Sequence, residues 1–272
     1  MIRPDKPVLL TGASGGLGRV LAQAMAASGW DLRLTDIQPF PGPVPEGARF
    51  FRADLCDGAA ILRLAEGCGT IVHFGGIPVE HPFETVIGPN IRGLYHAYEA
   101  ARREGARMVY ASSHHVAGFY ERAQPVGIDC AYRPDGYYAL SKAYGELMGQ
   151  LYWDKHGVVS VMLRLGSCRP EPTDDRMLAT WFSPGDMIRL VERSVLADLD
   201  RTAVIWGVCD NARMDWWGED DRERIGWRPL ESADPYTVQL GGRGRGDPVA
   251  DRFQGGAFCA DSYSRKDGAS AE

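Results

Sequence analysis

Thr11-Gly12-Ala13-Ser14-Gly15-Gly16-Leu17-Gly18 is the stretch on which the fold turns. The apolar run Val8-Leu9-Leu10 precedes it and reads as a buried strand. From Gly15 to Ser28, Leu17, Val20, Leu21, Ala24 and Met25 recur at helical spacing, and Gly29 stops the pattern. A glycine-rich turn between a strand and a helix lets backbone approach a pyrophosphate closely and offers it the free N–H groups and positive dipole end of the helix. Glycines at 12, 15 and 18 fit G-x-x-G-x-x-G, and those at 12, 16 and 18 fit G-x-x-x-G-x-G. The strand before and the helix after give this loop its weight, because turns use glycine for many other reasons.

The same alternation runs outward. Leu32–Asp36 reads as a second strand, and the four prolines between Pro39 and Gly47 make a loop. Phe50-Phe51, Ile71–Phe74, Met108–Ala111, Val158–Leu165 and Ala203–Trp206 read as further strands. Ala59–Ala65, Glu84–Glu104 and Tyr137–Trp153 read as helices. Strands alternating with helices predict an α/β fold, a doubly wound parallel sheet of Rossmann type. Past Asn211 the pattern breaks down, which predicts a small irregular C-terminal extension. The expectation is one domain over 1–272, with residues up to about 165 mainly for the cofactor and the remainder mainly on the substrate side.

Composition narrows the partners. The 272-residue chain carries a net charge of −6 and no basic block, so neither nucleic acid nor an anionic membrane is expected as a partner. No apolar stretch approaches the ~20 residues of a membrane span, and the N-terminus lacks a signal-peptide core. The six cysteines show no C-x-x-C and no regular spacing. Free thiols in a reducing cytosol are therefore expected, with no metal site. Glycine makes up 33 of 272 residues, about 12% against a usual ~7%.

Three further features carry chemistry. Asp36 ends the second strand, 18 residues after Gly18, where a carboxylate accepts from the adenosine ribose hydroxyls and repels a 2′-phosphate; this favours NAD over NADP. Asp54-Leu55 follows the third strand where adenine would lie, although Asp54 could equally cap the next helix. Tyr138 and Lys142 stand at i and i+4 of a helix, so the ammonium is expected to lower the phenol's pKa from ~10. Tyr137, the competing register, has Ser141 at i+4 and gains no cation. Ser113 ends the fifth strand, at the crevice where such sheets bind ligands. His73, inside an apolar strand, reads as a packed core histidine. The run Glu219-Asp220-Asp221 reads as a solvated face. Trp216-Trp217 reads equally as packing or interface, and Gly242–Gly246 only superficially like an RNA-binding segment.

Together these residues resemble the extended short-chain dehydrogenase/reductase superfamily and, more narrowly, its NAD-dependent uronate dehydrogenases. The telling stretches are Gly75-Gly76-Ile77-Pro78-Val79-Glu80, Ser112-Ser113-His114-His115, Gly166-Ser167-Cys168-Arg169-Pro170-Glu171-Pro172, Arg176–Ser183, Trp216-Trp217 and Arg252–Phe258. The resemblance spans roughly residues 7–260. It implies NAD held by Gly12, Ser14, Gly15, Gly16, Leu17, Gly18, Asp36, Asp54, Leu55, Phe74, Gly75, Gly76, Asn90, Tyr138 and Lys142. It implies oxidation of the C1 hydroxyl of cyclic D-glucuronate or D-galacturonate to an aldarolactone. Tyr138 is then the base, Lys142 its cationic partner and Ser113 the group that holds the reacting oxygen. Pro78, His114, His115, Ser167 and Phe258 line the sugar site, and Arg176 clamps the carboxylate, a task suited to a guanidinium's paired donors. A cytosolic homo-oligomer is implied as well.

Two positions depart from the family pattern. Pro78 stands for a serine, losing a hydroxyl and a backbone N–H; His114 stands for an asparagine, differs from it in size and, unlike the amide, can charge near neutral pH. Both bear on which sugar is preferred. Two rival readings remain at this point: a nucleotide-sugar epimerase or dehydratase of the same superfamily, and a non-catalytic dinucleotide sensor. The first wants a larger C-terminal lobe than follows Lys142, and the second could dispense with Tyr138 and Lys142.

Overall fold

The computed structural model describes residues 3–262 except 213, 214, 243 and 245. The elements run β1 (Val8–Thr11), α1 (Gly16–Ala27), β2 (Leu32–Asp36), β3 (Ala48–Arg52), α2 (Gly58–Ala65), β4 (Thr70–His73), α3 (Phe83–Val86), α4 (Leu94–Glu104), β5 (Arg107–Ser113), α5 (Tyr137–His156), β6 (Ser160–Leu165), β7 (Ser167–Cys168), α6 (Met177–Thr180), β8 (Trp181–Phe182), α7 (Pro184–Leu196), β9 (Ala203–Gly207), α8 (Thr237–Leu240), α9 (Pro248–Arg252) and α10 (Ala257–Ala260). Seven strands pair in the order β3-β2-β1-β4-β5-β6-β9, every pairing parallel. The order reverses direction between β1 and β4, which opens a crevice at the carboxyl ends of the strands.

Side chains alternate across the sheet, as strand geometry requires. Val8, Leu10, Val72, Val109, Val161 and Leu163 pack on one face with Leu21 and Met25 of α1 and Leu190 and Val191 of α7. Leu9, Ile71, Met108, Tyr110 and Met162 pack on the other with Ile61 of α2, Ala97 and Tyr98 of α4, and Met148 of α5. Both faces are covered, which is why the strands read as short continuous apolar runs.

Several expectations need correction. The helix expected over Glu84–Glu104 widens into a π-helical stretch at Ile87–Gly93. Pro89 lies inside it; without an N–H it cannot continue the regular ladder, and a local widening accommodates it. Helix α7 is absent from the pattern reading, although Ser183 caps it by accepting from Asp186 N and Pro184 starts it. The short pair β7–β8 is a further addition. Of the acidic run, Glu219 is exposed, but Asp220 and Asp221 accept from the backbone N–H groups of Trp206 and Val204, and so satisfy the edge of β9. Trp217 packs 4.4 Å from the Trp206 ring and donates to Ala179 O, so this pair is packing. His73 is buried with Nδ1 3.0 Å from Thr11 Oγ1, and burial pushes its pKa down to about 3. Of the glycine/arginine stretch, Arg243 and Arg245 lie outside the described residues.

A buried ion pair fastens α5 to the sheet. The Glu146 carboxylate accepts from Arg164 Nε and Nη2 on β6, from Ser112 Oγ on β5 and from the Tyr132 hydroxyl. Removing one partner of such a pair strands the other charge. Glu146→Ala is expected to cost about 3–5 kcal/mol of stability, read from urea denaturation. A loss within a few tenths of a kcal/mol would mean that the pair does not hold the helix.

Candidate active site

The site lies in the crevice at the carboxyl ends of β1, β4, β5 and β6. At its first wall, β1 runs into the glycine loop. Gly12 has φ +71°, and a Cβ there would lie 2.6 Å from the backbone of Phe74 and Gly75. A Cβ on Gly18 would lie 2.0 Å from Gly12 O, so helix and turn approach too closely for any side chain. Gly16 faces open space, and Gly15 caps α1 without a side-chain hydrogen bond. Thr11 Oγ1 accepts from Gly75 N, tying this turn to the loop after β4. Asp36 is held by two backbone donors, Ser14 N at 3.0 Å and Gln38 N at 2.9 Å. An uncapped helix start, a glycine turn and an oriented carboxylate at the end of β2 together fit a dinucleotide. Asp57 rather than Asp54 caps α2, while Asp54 accepts from Cys56 N. Leu55 packs where side chains on Gly75 and Gly93 would stand.

The second wall joins the loop after β4 to α5. Asn90, in the π-helical stretch, accepts from Ile77 N and donates to Ile77 O and to Ser141 Oγ. Its amide thus braces the Gly75-Gly76 loop against α5. Glu80, whose place in the sequence signals no role, accepts from the backbone N–H groups of Tyr137 and Tyr138, both at 2.9 Å. A carboxylate here satisfies the first donors of α5 and favours its dipole. Pro78 lies exposed on this loop.

Tyr138, Ser113 and Lys142 converge. Lys142 Nζ donates to Ala111 O at 2.7 Å and lies 5.5 Å from the Tyr138 ring centroid. The phenol does not fall below its ordinary value. Burial pushes it up to about 12, against a smaller downward pull from a hydrogen bond with Ser113. Burial also lowers the Lys142 ammonium to about 8. Desolvation therefore outweighs the i+4 cation that the sequence suggests.

The third wall belongs to the C-terminal part. Arg176 is buried, its Nε donating to Gln254 O at 2.7 Å and its Nη2 lying 2.6 Å from His114 Nε2. A Cβ on Gly256 would lie 2.6 Å from Arg176 Cδ. His114 Nδ1 lies 2.9 Å from Leu165 O, so the ring bridges a carbonyl and a guanidinium. Burial drives the His114 pKa well below its ordinary value, and His115 and Arg176 drive it further. The expected charge near neutral pH is thus corrected: His114 is a neutral acceptor that orients Arg176. Ser167 Oγ is 3.1 Å from Thr180 Oγ1. His115 lies between Phe258 and His114, 4.1 Å from each ring. Its Nδ1 is 2.5 Å from Asp135 Oδ2, a residue with no distinguishing sequence pattern.

Residues 8–228 match the NAD dependent epimerase/dehydratase family. This chain belongs to that family. Within it, the chain is 41% identical over 260 residues to a uronate dehydrogenase of Pseudomonas syringae pv. tomato, covering 94% of each. This level of identity over nearly the full length places the chain among the family's uronate dehydrogenases. The crystal structure of uronate dehydrogenase from Agrobacterium tumefaciens superimposes with a TM-score of 0.88 at 40% identity, covering 96% of this chain and 98% of that one. A mutant of the same enzyme complexed with NAD gives a TM-score of 0.87 at 39% identity, covering 95% and 98%.

The glycine turn makes a direct prediction. Gly18→Ala is expected to displace the loop and weaken NAD binding by at least about tenfold, measured by calorimetric titration. Unchanged affinity would mean that the close approach at Gly12 is not needed.

Proposed function

We propose that this protein is an NAD-dependent uronate dehydrogenase that oxidises the C1 hydroxyl of cyclic D-glucuronate or D-galacturonate to an aldarolactone. One observation carries the reading: a buried guanidinium, Arg176, stands in the same crevice as the Tyr138–Ser113 pair, on a chain that aligns with uronate dehydrogenases over 94% of its length. A carboxylate-bearing sugar gives Arg176 a partner while presenting its far end to Tyr138.

In the proposed reaction, Ser113 holds the reacting hydroxyl and Tyr138 takes its proton. Lys142 adds positive charge beside the phenolate and holds the nicotinamide ribose. NAD, when bound, accepts the hydride released from C1. Residues 12–18 would hold the pyrophosphate of NAD, Asp36 its adenosine ribose, and Asp54 and Leu55 its adenine side. Phe74, Gly75, Gly76 and Asn90 wall the dinucleotide on the β4 side. Pro78, His114, His115, Ser167 and Phe258 border the sugar. Residues up to about 165 thus serve mainly the cofactor, and those from 166 onward mainly the substrate. His114 acts on sugar preference through Arg176.

The proposed setting is a homo-oligomer in the cytosol. Six free cysteines suit a reducing compartment. Tyr137, Leu140, Leu147 and Leu151 form an exposed apolar stripe on α5, such as an interface between copies would cover.

Incubation with NAD and either uronate is expected to raise the NADH absorbance. If neither uronate does so while other sugars do, the substrate assignment is wrong. Tyr138→Phe is expected to abolish turnover with NAD affinity retained, whereas Arg176→Ala raises KM by about 100-fold or more. Equal losses of the chemical step in both variants, read in single-turnover experiments, would contradict these roles. Because the phenol ionises only near 12, the base form grows with pH throughout the accessible range. The oxidation rate is therefore expected to climb from neutral pH towards about 8, by up to about tenfold per unit, and less steeply beyond, where Lys142 loses its charge. A flat profile would mean that burial does not hold the phenol near 12 in the working complex.

A further inference from the structure

Asp135 is a carboxylate placed where burial is costly. Its side chain is 0% exposed, Oδ2 meets His115 Nδ1, and Oδ1 has no hydrogen-bond partner among the described residues. Two segments far apart in sequence make room for it. A Cβ on Gly118 or on Gly255 would each lie 2.0 Å from Asp135 Oδ2. An apolar residue would fill the space at lower cost, since a buried charge is tolerated only for what it binds.

What Asp135 binds is one nitrogen of a ring in the sugar site. His115 packs against Phe258, with Tyr138 edge-on at 6.2 Å between ring centroids. Its Nε2 has no hydrogen-bond partner among the described residues. The proton on one imidazole nitrogen is set by the hydrogen bond that nitrogen makes. A carboxylate against Nδ1 keeps the proton there and leaves Nε2 an acceptor. The titratable groups facing this pair are Arg176, His114, Tyr138 and Cys259. Burial raises Asp135 to about 8, opposed by Arg176, so the acceptor arrangement belongs to alkaline conditions.

We propose that Asp135 is a positioning residue that fixes the tautomer and orientation of His115, so that Nε2 accepts a hydrogen bond from a hydroxyl of the bound sugar acid. Its substrate half rests on the uronate reading above, and its tautomer half stands independently. Asp135 itself touches no reacting atom and acts through the ring.

The full-length protein carrying 15N-histidine tests it by imidazole 15N–1H correlation at about pH 9, with His115 assigned by its absence in His115→Gln. The wild type is expected to show a neutral Nδ1–H ring, and Asp135→Ala the Nε2–H form. Asp135→Asn, whose amide oxygen still accepts, is expected to restore Nδ1–H. A wild-type Nε2–H ring, or a tautomer unchanged in Asp135→Ala, would overturn the proposal, and the wild-type spectrum decides even if the alanine variant does not fold. In kinetics with glucuronate at about pH 9, Asp135→Ala and His115→Ala are each expected to lower kcat/KM by about 10- to 100-fold, mainly through KM. The double variant is expected to be no worse than either single one. Additive losses would overturn the claim that Asp135 acts through His115. Wild-type protein inactive on both uronates would sink the uronate reading while leaving the tautomer measurement to judge Asp135.

Discussion

The Glu146 carboxylate holds together the parts on which the site depends. Tyr138 and Lys142 lie on α5, Ser113 ends β5 and Leu165 ends β6; Glu146 bonds α5 to Arg164 of β6 and to Ser112, the residue before Ser113. A helix packed only by apolar contacts could slide by fractions of an ångström at little cost. A buried carboxylate with several donors cannot, because any slip leaves a charge unpaired in a low-dielectric interior. Glu80 performs a related task at the helix start, and Asn90 carries the same register into the loop after β4. Placement of the phenol is thus a consequence of polar bonds formed behind it.

Electrostatics at the site are local. The chain is net acidic at −6, yet both ligands of the proposed reaction are anions. Attraction has to come from the start of α1, from Lys142 and from Arg176. Arg176 is costly to bury, and its pKa falls to about 10 as a result. Neutral His114 and the Gln254 carbonyl orient it without neutralising it. A guanidinium kept charged, oriented and poorly solvated is a strong site for a carboxylate.

Much of the fold was legible because its signals are local. The glycine loop, the apolar strand runs and the Tyr138–Lys142 spacing each lie within a few residues, and the parallel sheet follows from their alternation. Helix α7 is legible too, although the sequence expectation omits it: Ser183-Pro184-Gly185-Asp186 carries a capping signature, and Met187, Leu190, Val191 and Val195 recur at helical spacing. The π-helical stretch was signalled only by Pro89. Residues that act through tertiary contacts were not legible. Asp135 meets His115 across 20 residues, and its room comes from Gly118 and Gly255. Asp220 reads as surface acid, yet it satisfies the edge of β9. The Tyr138 pKa is hidden from the sequence for a related reason: spacing reveals the neighbouring ammonium but not the depth of burial, and burial dominates.

The most direct test of the account follows the hydrogen that leaves C1. Glucuronate deuterated at C1 is incubated with the protein and NAD, and the reduced cofactor and the sugar product are analysed by mass spectrometry. Net oxidation at C1 predicts one deuterium per reduced nicotinamide, none in the product, and a slower chemical step for the labelled sugar. Deuterium retained in the sugar, with no net reduced cofactor, would contradict it.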